Sequence, residues 1–246
     1  MSDKTWWIKQ YFKQLRKRFR EGKVNRNKDY VVDQHSRAGS RDLDYYFTDK
    51  TRKLMLDGQI EIANSAQVRD FMMDQVADQI QKCGAKRVLE IGSGSSINLF
   101  LLSSRLPEVH FEGIDITPER VAVGKKWFKE NKGFEPNAQV GDATNLAFDD
   151  DSFDLAYSVH CFEQMDQYVV KALEEACRVA KKKVILLEPD FKHSNPTQRL
   201  FLKNHNYLLN FDKQIESVAP GKLTHSSLTT HTNVLNRTGR FVIDLQ

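Results

Sequence analysis

Glycines and carboxylates gather in the middle of this 246-residue chain in a pattern that bears on chemistry. The stretch VLEIGSGSS, residues 88–96, follows a short apolar run and precedes an apolar segment with helical spacing. Gly92 and Gly94, with Ser93 between them, permit a tight turn and a close backbone approach to a ligand that larger side chains would obstruct. The dinucleotide pattern G-x-G-x-x-G needs a third glycine where this chain has Ile97, so a nicotinamide oxidoreductase loses part of its signature. Glu90 discriminates further, because a carboxylate just before the turn favours a cationic ligand and repels a pyrophosphate.

Such residues need elements to hold them. From Lys86 onward, strand-like runs KRVLEI, HFEGIDI, AQVGD, FDLAYS and KKVILLEPD alternate with helical patterns INLFLLSSRL, PERVAVGKKWFKENK and QYVVKALEEACRVA. Pro118 stands in a favourable first-turn position of the second of these helices. This alternation predicts an α/β, Rossmann-like, doubly wound and mostly parallel sheet, with ligands at the carboxyl ends of its strands. Asp115 ends the second strand and Asp142 follows the third. Taken singly, one could cap a helix and the other could make an Asx-type turn; at successive strand ends they point to one shared pocket.

With these residues in view, LEIGSGSS resembles motif I of the class I S-adenosylmethionine-dependent methyltransferases, E/D-x-G-x-G-x-G, with Ser96 in place of the last glycine. VGDATNLAFDDDSFD resembles the family stretch G-D-A-x-x-L-P-F-x-x-x-S-F-D, and the likeness covers about residues 86–190. The resemblance implies S-adenosyl-L-methionine as cofactor. It places Asp115 on the ribose hydroxyls, Ile116 against the adenine ring, Asp142 on the adenine amino group and the amide of Ala143 near a ring nitrogen. Ser158, Val159 and His160 are implied to line the pocket and face the acceptor. If that acceptor is a hydroxyl, His160 is the candidate base, since imidazole titrates near neutrality; a plain pocket-wall role remains open. Glu163, Glu188, Asp190 and His193 are weaker candidates, with helix capping and surface exposure as their alternatives.

The fourth strand ends in YSVHCFEQM, without the Asn/Asp-Pro-Pro-aromatic segment of base-amino methyltransferases. The likeness favours the branch acting on quinones, sterols and sugars, hence a small-molecule or lipid- or glycan-linked acceptor. A non-catalytic protein that keeps the cofactor fold for binding or assembly is the alternative.

Charge is distributed unevenly. Of 37 basic and 33 acidic residues, ten and two fall within residues 1–28, which carry +8, while the other 27 and 31 leave −4. No specific nucleic-acid partner is expected from so acidic a body. Trp7, Ile8, Tyr11, Phe12, Leu15 and Phe19 recur at helical spacing among Lys and Arg, predicting a basic amphipathic helix. That helix either caps its own domain or makes peripheral membrane contact through residues 1–28. Residues 24–50 read as polar loop, and helical spacing from Met55 to Lys82 completes an N-terminal helical extension over 1–82, with the cofactor domain at 83–246. Tyr45 and Tyr46 either close over the cofactor or pack in the core. Three cysteines without CxxC spacing, no secretory leader and no long apolar run predict a cytoplasmic protein, free or at the membrane surface; His205, His225 and His231 lack ligand spacing, so no metal is expected. After the fifth strand, one helix over PTQRLFLKNHNYLLNFDKQIESV and a single strand, GRFVIDL, are expected, where the family normally has an antiparallel pair.

Overall fold

The computed structural model describes residues 3–21, 27–36, 43, 46–48, 51–56, 59–227 and 231–246. The basic amphipathic pattern forms helix α1 (Asp3–Glu21), followed by α2 (Lys28–Ser36). Strands β1 (Thr51–Leu56) and β2 (Gln59–Asn64) pair antiparallel before helix α3 (Ser65–Cys83). Asn64 caps α3 by accepting from the Ala66 amide at 2.8 Å, and Gly84 ends it in the left-handed conformation. Val68, Met72, Met73, Val76, Ala77 and Ile80 line its buried face.

The α/β alternation then runs β3 (Arg87–Ile91), α4 (Ile97–Arg105), β4 (His110–Asp115), α5 (Pro118–Lys132), β5 (Ala138–Val140) and β6 (Phe153–Val159). Helix α6 (Val169–Val179) and strand β7 (Ala180–Pro189) complete the parallel part. Beyond them lie α7 (Pro196–Asn204), α8 (Phe211–Val218), β8 (Leu223–Ser227), β9 (His231–Asn233) and β10 (Thr238–Asp244). The main sheet has the order β5-β4-β3-β6-β7-β10-β8. Its first five strands are parallel, while β10 pairs antiparallel with both β7 and β8.

Alternate residues of each central strand feed two cores. Val88, Leu155, Tyr157, Ile185 and Leu187 pack with α3, α4 and α5, while Leu89, Ala156, Val184 and Leu186 pack with α6 and α8. Burial of both faces explains why these strands are near-continuously apolar and why the sheet is doubly wound.

Four local expectations are corrected. Helical spacing from Met55 misassigns β1 and β2, because Ile60 and Ile62 stand two residues apart along a half-exposed strand instead. Part of the polar stretch 24–50 is helix α2, which buries no residue fully and so carries no amphipathic signal; positions 37–42 and Tyr45 lie outside the described residues. The single helix expected after β7 breaks between Asn204 and Phe211, where Asn206 adopts a φ of 52°. The sheet also ends in the antiparallel pair β10 and β8, and β8, LTHSS, escaped notice because an edge strand needs little apolar content. Tyr46 packs in the core, its hydroxyl 2.9 Å from Asp70 Oδ1.

Candidate functional site

The turn after β3 is built by hydrogen bonds that only a compact backbone allows. The amides of Gly92 and Ser93 both donate to the Ile114 carbonyl at 2.8 Å, fastening the loop to the end of β4. Gly92 has a φ of 80°, and a Cβ there would lie 2.3 Å from Cys161 Sγ; at Gly94, φ 53°, it would lie 2.4 Å from the Arg120 guanidinium. Ser96, standing where motif I has its last glycine, takes a φ of 65°. The loop therefore keeps the glycine-like path at a cost of about 1–2 kcal/mol for a left-handed non-glycine residue.

Asp115 ties two loops together. One carboxylate oxygen accepts from the Gly94 amide at 2.9 Å and the other from the Thr117 amide at 2.9 Å. Asp142 does make the Asx-type turn, accepting from the Thr144 amide at 2.9 Å and its hydroxyl at 2.8 Å, and it also pairs with Lys28 from α2. Partial burial works against its charge, but hydrogen bonds from Lys28 and Thr144 hold its pKa below the usual carboxylate range.

These loops surround a cavity of about 300 Å³ at the carboxyl ends of β3, β4, β5 and β6. Gly92, Ser93, Asp115, Ile116, Asp142, Ala143 and His160 all line it, so most of the residues expected to meet do so. Glu90, Gly94 and Ser158 do not reach its wall. Gly94 is turned into the loop's own hydrogen bonding, and the buried Ser158 hydroxyl donates to Glu188 Oε1 at 2.8 Å. Glu90 lies fully buried beneath the floor, where Asn98 Nδ2 donates to its Oε1 at 2.6 Å. The buried Tyr157 hydroxyl is its second neighbour, and burial pushes the Glu90 pKa up to about 7.

Sequence spacing missed the roof and one wall. Asn27, Lys28, Val31 and His35 of the α2 region cover the cavity, and Arg69 of α3 enters it while donating to Asn98 Oδ1 at 2.7 Å. A lysine in a polar stretch gives no signal of a distant carboxylate partner, and Arg69 is masked by the apolar spacing of α3.

Just after β6, His160 adopts a φ of 53°. Its Nδ1 lies 3.1 Å from Glu163 Oε2 and its Nε2 lies 2.9 Å from Thr238 Oγ1. Burial opposes its charge, but the charge and hydrogen bond of Glu163, with Glu188 beyond, leave its pKa raised. Glu163, Glu188 and Asp190 are all buried, which removes surface exposure as their explanation. Glu188 accepts from the amides of Cys161, Phe162 and Glu163 and thereby shapes the turn that carries His160.

Residues 88–183 match the methyltransferase domain family. An uncharacterized methyltransferase, YcgJ, of Bacillus subtilis (strain 168) is 35% identical over 133 residues, covering 52% of this chain and 50% of that protein. A phthiotriol/phenolphthiotriol dimycocerosates methyltransferase of Mycobacterium leprae (strain TN) is 29% identical over 124 residues, covering 49% and 43% respectively. The chain thus spans half or less of the length of these relatives. In fold, it is similar to magnesium protoporphyrin IX methyltransferase from Synechocystis PCC 6803 with bound S-adenosylmethionine, with a TM-score of 0.62 at 12% identity over 91% of this chain and 99% of that one. A strand order that reverses beside β3, a glycine turn with Asp115 and Asp142 around one cavity, and the family match over residues 88–183 together identify a methyltransferase domain of the class I, S-adenosylmethionine-dependent kind within this chain.

Proposed function

We propose that the chain transfers a methyl group from S-adenosylmethionine to a hydroxyl of a small, lipid-linked acceptor. The carrying observation is the convergence of Asp115, Asp142 and the Gly92 turn on one cavity whose wall holds unpartnered buried polar atoms. The hydroxyls of Ser93, Ser95 and Thr117 in that wall lack protein partners. Such a donor and acceptor set fits a nucleoside with a charged amino-acid tail, and about 300 Å³ is near the lower end of ligand-site volumes. When bound, the cofactor supplies an electrophilic methyl group on a positively charged sulfur.

The protein's own part is placement. Asp115 holds the ribose hydroxyls, Ile116 packs on the base, Asp142 with the Ala143 amide reads its edge, and Arg69 meets the tail carboxylate. Glu90 lends negative potential to that cationic ligand from beneath. Methyl transfer is a direct displacement, so alignment of acceptor and donor supplies most of the rate. Glu163 fixes His160 with its proton on Nδ1, leaving Nε2, now facing Thr238, to take the proton of an acceptor hydroxyl.

The test is calorimetric titration with S-adenosylmethionine and its demethylated product, followed by transfer of labelled methyl to a cell extract. Micromolar binding and a labelled small molecule are expected; no binding rejects the proposal, and binding without transfer makes the chain a non-catalytic cofactor-fold protein. His160→Asn, chosen because asparagine tolerates positive φ, is expected to lower kcat tenfold or more with cofactor affinity unchanged. An unchanged kcat assigns His160 to the pocket wall alone.

Lipid linkage of the acceptor is supported by α1 and by the phthiotriol dimycocerosates named for the mycobacterial relative. One edge of α1 docks on α7: Asn204 Nδ2 donates to the Gln14 carbonyl at 2.8 Å, and Gln14 is buried. The opposite stripe leaves Ile8, Phe12 and Phe19 at 59%, 55% and 84% exposure, flanked by exposed Lys9, Lys13, Arg16 and Arg20. Among the described residues no helix is long and apolar enough to cross a membrane. Aromatic groups beside basic ones suit the surface of an anionic bilayer, each basic residue contributing about 1 kcal/mol there. The protein is expected to sediment with phosphatidylserine vesicles but not with phosphatidylcholine alone. Phe12→Glu combined with Phe19→Glu is expected to reduce that at least tenfold; unchanged sedimentation rejects the membrane role.

A further inference from the structure

Three side chains from separate stretches of sequence meet beyond the cofactor cavity, on the β7–β10–β8 side of the sheet. Asp190 directly follows β7, His193 lies in the turn after it, and His225 comes from edge strand β8. His193 Nδ1 is 2.9 Å from Asp190 Oδ2, and His225 Nε2 is 3.4 Å from Asp190 Oδ1. One ligand-type atom from each residue lies within 4.8 Å of the other two. The Asp190 side chain is fully buried and that of His225 is 9% exposed, whereas His193 is 41% exposed and opens the cluster to solvent.

The unusual feature is His225. Both of its ring nitrogens are buried without a hydrogen-bond partner, although an imidazole always carries at least one N–H donor. Its ring is fixed by stacking on Phe241, 4.0 Å between centroids at 18°. Gly239 of β10 makes the meeting possible: a Cβ there would come within 3.0 Å of both Asp190 Cβ and His225 Nε2. A buried, oriented and unsatisfied imidazole next to a buried carboxylate is costly unless something accepts its lone pair.

The geometry points to a binding site for a divalent transition-metal ion of the zinc class, held by Asp190, His193 and His225. Two imidazoles and one carboxylate are the donor set such ions prefer. Ligand atoms about 2.0–2.2 Å from a tetrahedral ion sit roughly 3.4 Å from each other, close to the separations from Asp190. Binding replaces the contact between His193 Nδ1 and Asp190, and Asp190 and His225 also border a solvent-connected pocket lined by Lys192, Arg199 and Asp212. The other cluster of this kind among the described residues, His160, Glu163 and Glu188, differs in that both ring nitrogens of its histidine have hydrogen-bond partners, whereas those of His225 have none. Chain spacing gave no sign of the site, because its members are brought together only by the pairing of β8 with β10. The inference is independent of the methyl-transfer reading.

Full-length protein dialysed against a chelator is titrated with zinc chloride by calorimetry and with cobalt chloride by visible absorption, which separates imidazole–carboxylate from thiolate ligation. One equivalent of zinc is expected, with a cobalt spectrum lacking thiolate charge transfer. His193→Ala, at an exposed position, and His225→Gln are each expected to weaken binding at least tenfold, the first serving as the decisive variant if the second alters the melting temperature. Glu163→Gln is expected to leave zinc affinity unchanged. Absence of stoichiometric zinc, full affinity in His193→Ala, or loss of affinity in Glu163→Gln overturns the site.

Discussion

Replacing Asp115 by Ala is expected to weaken S-adenosylmethionine binding at least 100-fold in calorimetric titration. Two effects add. The carboxylate presents two oxygens, each with a lone pair beyond the one given to an amide, so a pair of ribose hydroxyls can be accepted together. Hydrogen bonds to a charged group contribute about 1.5–3 kcal/mol each, and 100-fold in affinity corresponds to about 2.7 kcal/mol. Alanine also releases the amides of Gly94 and Thr117, loosening the loop that forms the floor of the site. Asp115→Asn keeps one accepting oxygen, and with it one of the two loop bonds, so its loss is expected to fall between those of the parent and Asp115→Ala. A loss below tenfold in Asp115→Ala would remove the carboxylate from cofactor recognition.

The second large effect concerns Glu90 and has opposite signs for stability and for binding. Its pKa of about 7 in the folded protein, against 4.5 ordinarily, arises first from burial. Between those values the folded chain keeps a proton that the unfolded chain has released, so stability from this group is complete below pH 4.5 and declines as pH rises to 7. The decline amounts to on the order of 3 kcal/mol above pH 7. Glu90→Gln keeps the shape and the Asn98 contact without the ionisation. Thermal melts from acid to mild alkali are expected to show the variant more stable than the parent at pH 8, by roughly 5–10 °C, and level with it at pH 4. Cofactor affinity at pH 8 is expected to fall tenfold or more, because a cationic ligand loses the negative potential beneath it. Parallel pH–stability curves for the two proteins would refute the assignment.

What the sequence made legible is what two independent constraints required. The parallel strands carry apolar residues on both faces because helices cover both, and that signature survives in KVILL as in VLEI. The glycine turn, Asp115 and Asp142 were legible because a ligand at strand ends leaves carboxylates where packing alone would not. Elements held by contacts distant in the chain were not. Helix α2 is kept by Lys28 on Asp142 and Ser36 on Glu119 rather than by an apolar stripe, and β8 by backbone pairing with β10. The burial of Glu90 beneath the floor was equally hidden, since a motif fixes a residue's place in a strand but not the depth of the cavity above it. Asp190, His193 and His225 extend the lesson, as separations of three and about thirty residues become one cluster only in space.

The small sheet β2-β1-β9 joins residues 51–64 to residues 231–233. During synthesis the early hairpin must therefore wait until residues 231–233 have emerged before its exposed edge is satisfied. At about 5–20 residues per second, that interval is on the order of ten seconds or more. The nascent protein carries an open strand edge throughout, a period in which assistance by chaperones would have its greatest influence on yield.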